Sequence, residues 1–130
     1  MQTLQRGPAA ASLAFLLLLA GCGESEKIYQ VSGTVTYDGK PVPKGLIFFD
    51  PDPSKGTGGA QGAANILDGK YNTAEGAGVQ GGAYYVRVNG FDGNASNDAP
   101  FGQPLFPEYN GSTELPKQDS TYDLEIPKSR

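Results

Sequence analysis

The residues of this chain alternate between apolar and polar in several short segments. In residues 29–37 every second position is apolar or glycine, and the positions between them are polar. A period of two predicts a β-strand that buries one face. Residues 83–89 and 120–126 repeat the alternation. We therefore predict three half-buried strands in these segments.

Turn residues separate the other predicted strands. Asp38-Gly39 and Asp68-Gly69 match the favoured two-residue hairpin turn, because Asp and Gly tolerate positive φ. The second turn follows a predicted strand at residues 60–67. Residues 45–49 are a continuous apolar run, which predicts a central strand covered on both faces.

Helix is not predicted beyond the apolar run near the start of the chain. No later segment repeats apolar residues at the i, i+3, i+4 spacing of an amphipathic helix. The 19 glycines and 10 prolines disfavour helix further. Short alternating strands separated by turn residues predict an all-β fold, an antiparallel β-sandwich of about seven strands.

The longest segment without a clear strand pattern is residues 90–119. It contains apolar side chains, which indicate packing rather than disorder. One interpretation is a loop that packs over an open end of the sheet, with a short strand near residues 113–115. The other is a binding loop. Its candidate binding residues are Phe101, Leu105, Phe106 and Tyr109.

The first 21 residues have the parts of a secretory signal peptide: Arg6, an apolar run, and small residues at its end. The apolar run is shorter than the ~20 residues that span a membrane. Leu19-Ala20-Gly21-Cys22 resembles the bacterial lipobox, in which the cysteine is acylated and becomes the new N-terminus. We therefore predict a signal peptide at 1–21, a lipidated tether at 22–27 and a β-sandwich domain at 28–130.

This organisation predicts attachment to a membrane through acyl chains on Cys22. The tether spans at most about 17 Å, so the domain would lie close to the membrane. Gly23 after the cysteine, instead of Asp, favours the outer membrane over the inner one by the usual sorting rule. The net charge of −4 and the absence of a basic run argue against nucleic acid as a partner. Cys22 is the only cysteine, so no disulfide is expected.

Several motifs of the domain resemble one family when they are taken in order. Residues 31–43 resemble the opening V-x-G-x-V, turn and G-x-P-V of the carboxypeptidase regulatory-like domain, which is a transthyretin-like β-sandwich. Residues 68–71 resemble its D-G-x-Y turn, and residues 82–88 resemble its G-x-Y-x-V-x-V strand. The resemblance covers about residues 28–127. It implies a transthyretin-like fold and a non-catalytic module.

Catalytic and metal-binding chemistry finds little support in the sequence. The chain has no histidine, which removes the commonest general base and metal ligand. Residues 76–81 spell G-x-G-x-x-G, but they precede a predicted strand, so we interpret them as a turn. Asp92, Asn94 and Asp98 are weak calcium candidates, because a bidentate Glu is missing at the twelfth position.

Together these patterns predict a protein that is not an enzyme and needs no cofactor. The leading hypothesis is a lipid-anchored β-sandwich of the bacterial cell envelope with a structural or protein-binding role. The alternative is a calcium- or carbohydrate-binding accessory domain that uses the loop at residues 90–110. The partner would accordingly be an envelope protein or a glycan.

Overall fold

The computed structural model describes residues 27–128. The predicted signal peptide, Cys22 and the tether up to residue 26 lie outside the described residues. No helix in the described part is long and apolar enough to cross a membrane. Its strands are β1 (Val31–Tyr37), β2 (Lys40–Pro41), β3 (Lys44–Pro51), β4 (Gly62–Leu67), β5 (Lys70–Asn72), β6 (Gly82–Phe91), β7 (Tyr109–Leu115), β8 (Ser120–Thr121) and β9 (Leu124–Ile126). Two single 3-10 turns lie at Pro53–Lys55 and Thr73–Glu75.

The strands form one connected, curled sheet in the order β2-β1-β5-β4-β3-β6-β7. Every pair along this path is antiparallel. The prediction of an all-β, mainly antiparallel fold is therefore confirmed, with seven strands on this path and nine in all; the sandwich stays a prediction.

The end of the chain differs from the prediction. Residues 120–126 form two short strands, β8 and β9, and not one. Both pair with β1, and both pairings are parallel. Parallel strands need a long connection, and here most of the chain lies between the two partners. The local alternation in the sequence carries no information about that direction.

Both predicted turns are confirmed. Asp38 and Gly39 have φ of 52° and 74°, and Asp68 and Gly69 have 49° and 75°. Two successive positive φ values are the geometry that suits the twist of a hairpin. The first turn joins β1 to β2, and the second joins β4 to β5.

The core lies inside the curl of the sheet. Alternate residues of the strands point into it, as the period of two predicted. β3 is a central strand, between β4 and β6, but its two faces differ: Ile47 and Phe49 are buried, whereas Phe48 is only half-buried. The buried apolar residues are Val31, Val35, Val42, Ile47, Phe49, Ala64, Ile66, Tyr71, Val79, Tyr84, Val86, Val88, Phe106, Leu115, Leu124 and Ile126.

The segment at residues 90–119 contains a strand that the sequence analysis largely missed. Tyr109–Leu115 forms β7 and pairs with β6 through seven residue pairs, from Gly82↔Leu115 to Val88↔Tyr109. Only residues 113–115 of it were predicted. β7 is the edge strand of the sheet, and its side chains alternate between exposed and half-buried. A loop at residues 92–108 connects it to β6.

The G-x-G-x-x-G segment opens no helix, but it forms isolated β-bridges and not the predicted turn. Residues 76–81 precede β6, and no helix follows them in the described chain. Val79 and Tyr29 exchange backbone hydrogen bonds of 2.7 and 3.0 Å. Ala77 forms a bridge with Ala63. These contacts fix the place where the chain enters the domain.

Different segments of the chain lie at the two ends of the sheet. We call the end of the sheet at which Tyr29 lies the entry end. Strand direction alternates along the antiparallel path, and three strands lie between β1 and β6. These two strands therefore run in the same direction, and both start at the entry end. The loop at residues 92–108 follows the last residue of β6, so it lies at the opposite, far end. Strands of seven to ten residues rise about 3.3 Å per residue. The two ends are therefore roughly 20–30 Å apart.

Candidate functional site

A wide, open groove lies on the outer face, by which we mean the side of the sheet opposite the core. Its volume is about 980 Å³. The outer face of β1, β3, β4 and β5 forms its floor, and the far-end loop and the β8–β9 segment border it. The residues that line it are Ser32, Gly33, Thr34, Lys44, Gly45, Asn65, Ile66, Leu67, Lys70, Tyr71, Asn72, Glu75, Phe101, Thr121 and Asp123.

Strand register places the polar side chains of the groove side by side. Thr34 pairs with Lys70, Lys70 with Leu67, and Leu67 with Lys44. Three of these residues occupy outward positions, because their strand neighbours Val35, Ile66 and Tyr71 are buried. Lys44 lies on the same face, because it is the direct partner of Leu67. Four neighbouring strands thus contribute one continuous row.

The charges of the groove balance. Within residues 27–128 neither Lys44 nor Lys70 forms a salt bridge. Glu75 and Asp123 supply two carboxylates to the same lining. The Asp123 Oδ1 accepts hydrogen bonds from the Thr34 backbone N–H at 2.9 Å and from its hydroxyl at 3.1 Å. One carboxylate is therefore engaged with the floor, while the ammonium groups are available.

The groove needs a glycine at its floor. A methyl group on Gly33 would overlap the backbone carbonyl oxygen of Tyr122 and approach the Asp123 Oδ1 within 2.9 Å. The side chain of Tyr71 reaches the same segment, because its hydroxyl donates to the Tyr122 carbonyl oxygen at 2.6 Å. Burial raises the pKa of Tyr71 well above its usual value. These contacts hold the β8–β9 segment against β1.

Phe101 is the candidate binding residue that borders the groove. Its side chain is 46% exposed, although its ring packs on Phe91 with centroids 5.7 Å apart. The backbone around it is held in place, because its carbonyl oxygen accepts from Gly93 N–H at 3.0 Å. Phe101 is therefore an exposed aromatic ring on an ordered loop.

The other three candidate binding residues lie elsewhere. Phe106 is buried in the core and packs on Tyr37, with ring centroids 4.9 Å apart. Leu105 and Tyr109 are half-buried and pack against the same core. The four residues do not form one site. Three of them close the far end of the core, and Phe101 alone is presented to the groove.

Of the three calcium candidates, Asp92 has a structural role in its loop. The Asp92 Oδ1 accepts from the backbone N–H groups of Asn94 and Gln103, at 2.9 and 3.1 Å. This closes the loop on itself, as Asp side chains often do in turns. Asn94 and Asp98 are exposed. Among the described residues, no group of three or more His, Cys, Asp or Glu side chains gathers where it could hold a metal ion.

A second polar cluster occupies the outer face of β3 and β6. We call it the Arg87 cluster: Asp50, Gln61, Arg87, Asn89 and Glu108, with the ring of Phe48. The Arg87 Nε donates to Asp50 Oδ2 at 2.6 Å, and its guanidinium carbon lies 4.8 Å from the centroid of the Phe48 ring. Glu108 accepts from Asn89 at 3.0 Å. The hydrogen bond from Arg87 holds the pKa of Asp50 below its usual value.

Lys44, Asn65 and Lys70 were not among the predicted site residues. Each is an ordinary polar residue of a strand, and it becomes part of a groove only through the pairing of neighbouring strands. The outward positions on β1 were readable from its alternation. The register that brings them together was not.

Comparison of the chain with protein-family models, with curated proteins and with solved structures finds no match.

Proposed function

We propose that this protein is a non-catalytic, lipid-anchored binding module of the bacterial cell envelope, and that the groove is its binding site. The observation that carries the binding role is the groove itself. It combines an exposed aromatic ring, Phe101, with two lysines that form no salt bridge within residues 27–128. Ligand sites are concave surfaces with a few well-placed polar groups.

The anchor is proposed from the sequence. Leu19-Ala20-Gly21-Cys22 closes an apolar run of signal-peptide length. Two or more acyl chains on one residue provide stable attachment, since each buried CH₂ contributes about 0.8 kcal/mol. The outer membrane is the proposed destination, because Gly23 follows the cysteine.

The position of Tyr29 supports an orientation for the anchored domain. The chain enters at the end of the sheet that is opposite to the far-end loop. A tether of five residues reaches about 17 Å, so the entry end would face the membrane. The loop with Phe101 would then be directed away from it. A partner in the envelope would meet the far end and the groove first.

We also propose that the curled sheet is a variant of the transthyretin-like sandwich. The order of the V-x-G-x-V, D-G-x-Y and G-x-Y-x-V-x-V motifs supports this. The pairing of β8 and β9 with β1 extends the sheet around the core, because Leu124 and Ile126 are both buried.

The anchor is tested by Cys22→Ser. We expect this variant to lose incorporation of radiolabelled palmitate and to leave the membrane fraction, because the serine hydroxyl does not replace the thiol as the acyl acceptor. Labelling and fractionation of cells that express either form measure the effect. Cys22→Ser that still fractionates with membranes would disprove lipid anchoring.

A further inference from the structure

We propose that the ligand of the groove is a neutral oligosaccharide, with one sugar ring stacked on Phe101 and the following rings hydrogen-bonded to the row of polar side chains. This inference rests on the proposed binding function and names the class of ligand. It follows from three properties of the groove: an exposed aromatic ring, hydroxyl and amide side chains, and balanced charge.

The aromatic ring offers the apolar contact that a sugar needs. The face of an aromatic ring is electron-rich, so it attracts the slightly positive C–H groups on one side of a pyranose. Phe101 is 46% exposed, and its ring packs against that of Phe91 at an interplanar angle of 43°. A supported ring is pre-organised, so little conformational entropy is lost when a ligand stacks on it. Exposed Leu67 extends the apolar surface within the same lining.

The polar side chains match sugar hydroxyls, which both donate and accept hydrogen bonds. The Ser32 hydroxyl has the same dual character, and the exposed amide of Asn65 offers two donors and an acceptor. The Thr34 hydroxyl donates to Asp123, so it offers its acceptor lone pairs. Lys44 and Lys70 add donors. They flank Leu67 on neighbouring strands, so their Cα atoms lie about 10 Å apart by strand spacing. Such a row suits a ligand of several rings better than a single small molecule.

The balance of positive and negative side chains in the groove favours a neutral ligand. Lys44 and Lys70 are matched by Glu75 and Asp123 in the same groove, and the chain as a whole carries a net charge of −4. An anionic polymer would find no excess of positive charge. Recognition of nucleic acid depends on such an excess.

The position of the groove argues against an extended peptide. Peptides that add to a sheet bind at an edge, where backbone N–H and C=O groups are free. This groove lies on the face of β1, β5, β4 and β3, whose backbones pair with one another. Its contacts therefore come from side chains. A peptide partner is an outcome that would overturn the proposal.

The test is a titration of the full chain, purified in a detergent without a sugar headgroup. The probes are linear tetrasaccharides of glucose, of N-acetylglucosamine and, as an acidic comparison, of galacturonic acid. We expect at least one neutral tetrasaccharide to shift the amide NMR signals of Thr34, Asn65 and Phe101, and to bind at least about tenfold more tightly than the acidic one. Binding of neither neutral probe, or tighter binding of the acidic one, would overturn the proposal.

A matched pair of aromatic substitutions locates the site. Phe101→Ala should weaken binding of the neutral probe at least about tenfold, as for aromatic residues at the centre of binding sites. Tyr85→Ala is the control, because Tyr85 is 49% exposed on the outer face but lies outside the groove lining. The affinity of the Tyr85→Ala protein for the neutral probe should change less than twofold. Equal losses in the two variants would overturn the proposal, provided that both unfold at the wild-type temperature.

Crosslinking in intact cells separates this inference from the proposed function. If a protein partner is captured by the wild-type chain and lost in Phe101→Ala, while neither neutral tetrasaccharide binds, the groove is a protein-binding site and the oligosaccharide proposal is wrong. If capture is equal in both forms and neither neutral tetrasaccharide binds, the groove itself is not the binding site and the proposed function fails with it.

Discussion

The groove and the Arg87 cluster lie on the same face of the same sheet, yet their polar side chains are satisfied in opposite ways. Arg87 is held by Asp50 at 2.6 Å and stacks over Phe48. Lys44 and Lys70 form no salt bridge with any described residue. A charged group that is bonded within the protein holds strands together, whereas one that is left to solvent is available to a ligand. The difference separates a structural surface from the surface that we propose for binding.

The burial of the two regions agrees with this division. The side chains of Arg87 and Asp50 are 32% and 28% exposed, so their attraction is screened by water less than that of a fully exposed pair. The groove instead presents exposed Lys70, Leu67 and Phe101. Binding of a ligand would bury these side chains and give them the partners that they lack among the described residues.

Among the substitutions that test this comparison, Gly33→Ala should lower the free energy of unfolding most. Gly33 lies in the floor of the groove. The new methyl group would overlap the carbonyl oxygen of Tyr122. Because that oxygen belongs to the backbone, the β8–β9 segment would have to move away from β1. We expect destabilisation by about 2–4 kcal/mol in urea unfolding.

Gly58→Ala is the control for this substitution, since a methyl group there would meet nothing within 4 Å. It should change stability by less than about 0.5 kcal/mol. A Gly33→Ala protein as stable as the wild type would show that the β8–β9 segment is not packed on β1 as described.

Removal of the Arg87 guanidinium should cause the next largest loss in the free energy of unfolding. Arg87→Ala removes the hydrogen bonds to Asp50, the contact with Phe48 and the 3.7 Å ion pair with Glu108. We expect a loss of about 1–2 kcal/mol in urea unfolding, from a charge-assisted pair and a cation–π contact near the surface. Lys70→Ala, in the groove, should cost less than about 0.5 kcal/mol. Equal losses in the two variants would contradict the division between structural and binding surface.

A smaller loss of folding stability is expected at acidic pH. The hydrogen bond from Arg87 lowers the pKa of Asp50 below its usual value of 3.8. The unfolded chain therefore binds a proton at Asp50 more readily than the folded one, and folding stability falls as pH drops below about 4. The stabilisation is fully present at neutral pH.

Asp50→Asn tests this contribution, because the amide does not titrate. The difference in unfolding free energy between wild type and variant should be largest at pH 7 and should shrink at pH 3. Urea unfolding at both values measures it. A difference that stays constant with pH would show that the pair with Arg87 does not depend on the charge of Asp50.

Sequence predicts this structure best where local chemistry decides the conformation. Asp38-Gly39 and Asp68-Gly69 form turns because few residues accept two positive φ values in succession. β1 and β6 were predicted from alternation alone. β7 was mostly missed, since its sequence from Tyr109 to Leu115 is rich in small polar residues and lies at a sheet edge, where burial is partial. The pattern of an edge strand resembles that of a loop.

The candidate site was predicted only in part. The four candidate binding residues between positions 101 and 109 were equivalent in the sequence, but the fold buries Phe106 and exposes Phe101. Hydrophobicity indicates that a side chain prefers burial, and it does not indicate which one a loop leaves outside. The lysines and amides of the groove carried no signal in the sequence.

By itself, the sequence determined the all-β class, most strand positions, both Asp-Gly turns and the lack of histidine chemistry, because each depends on residues that are neighbours along the chain. Only the tertiary structure decided the parallel pairing of β8 and β9 with β1, the row from Thr34 to Lys44, and the exposure of Phe101. These features depend on contacts between residues far apart in sequence. Such contacts are selected by the packing of the whole core, which no local pattern contains.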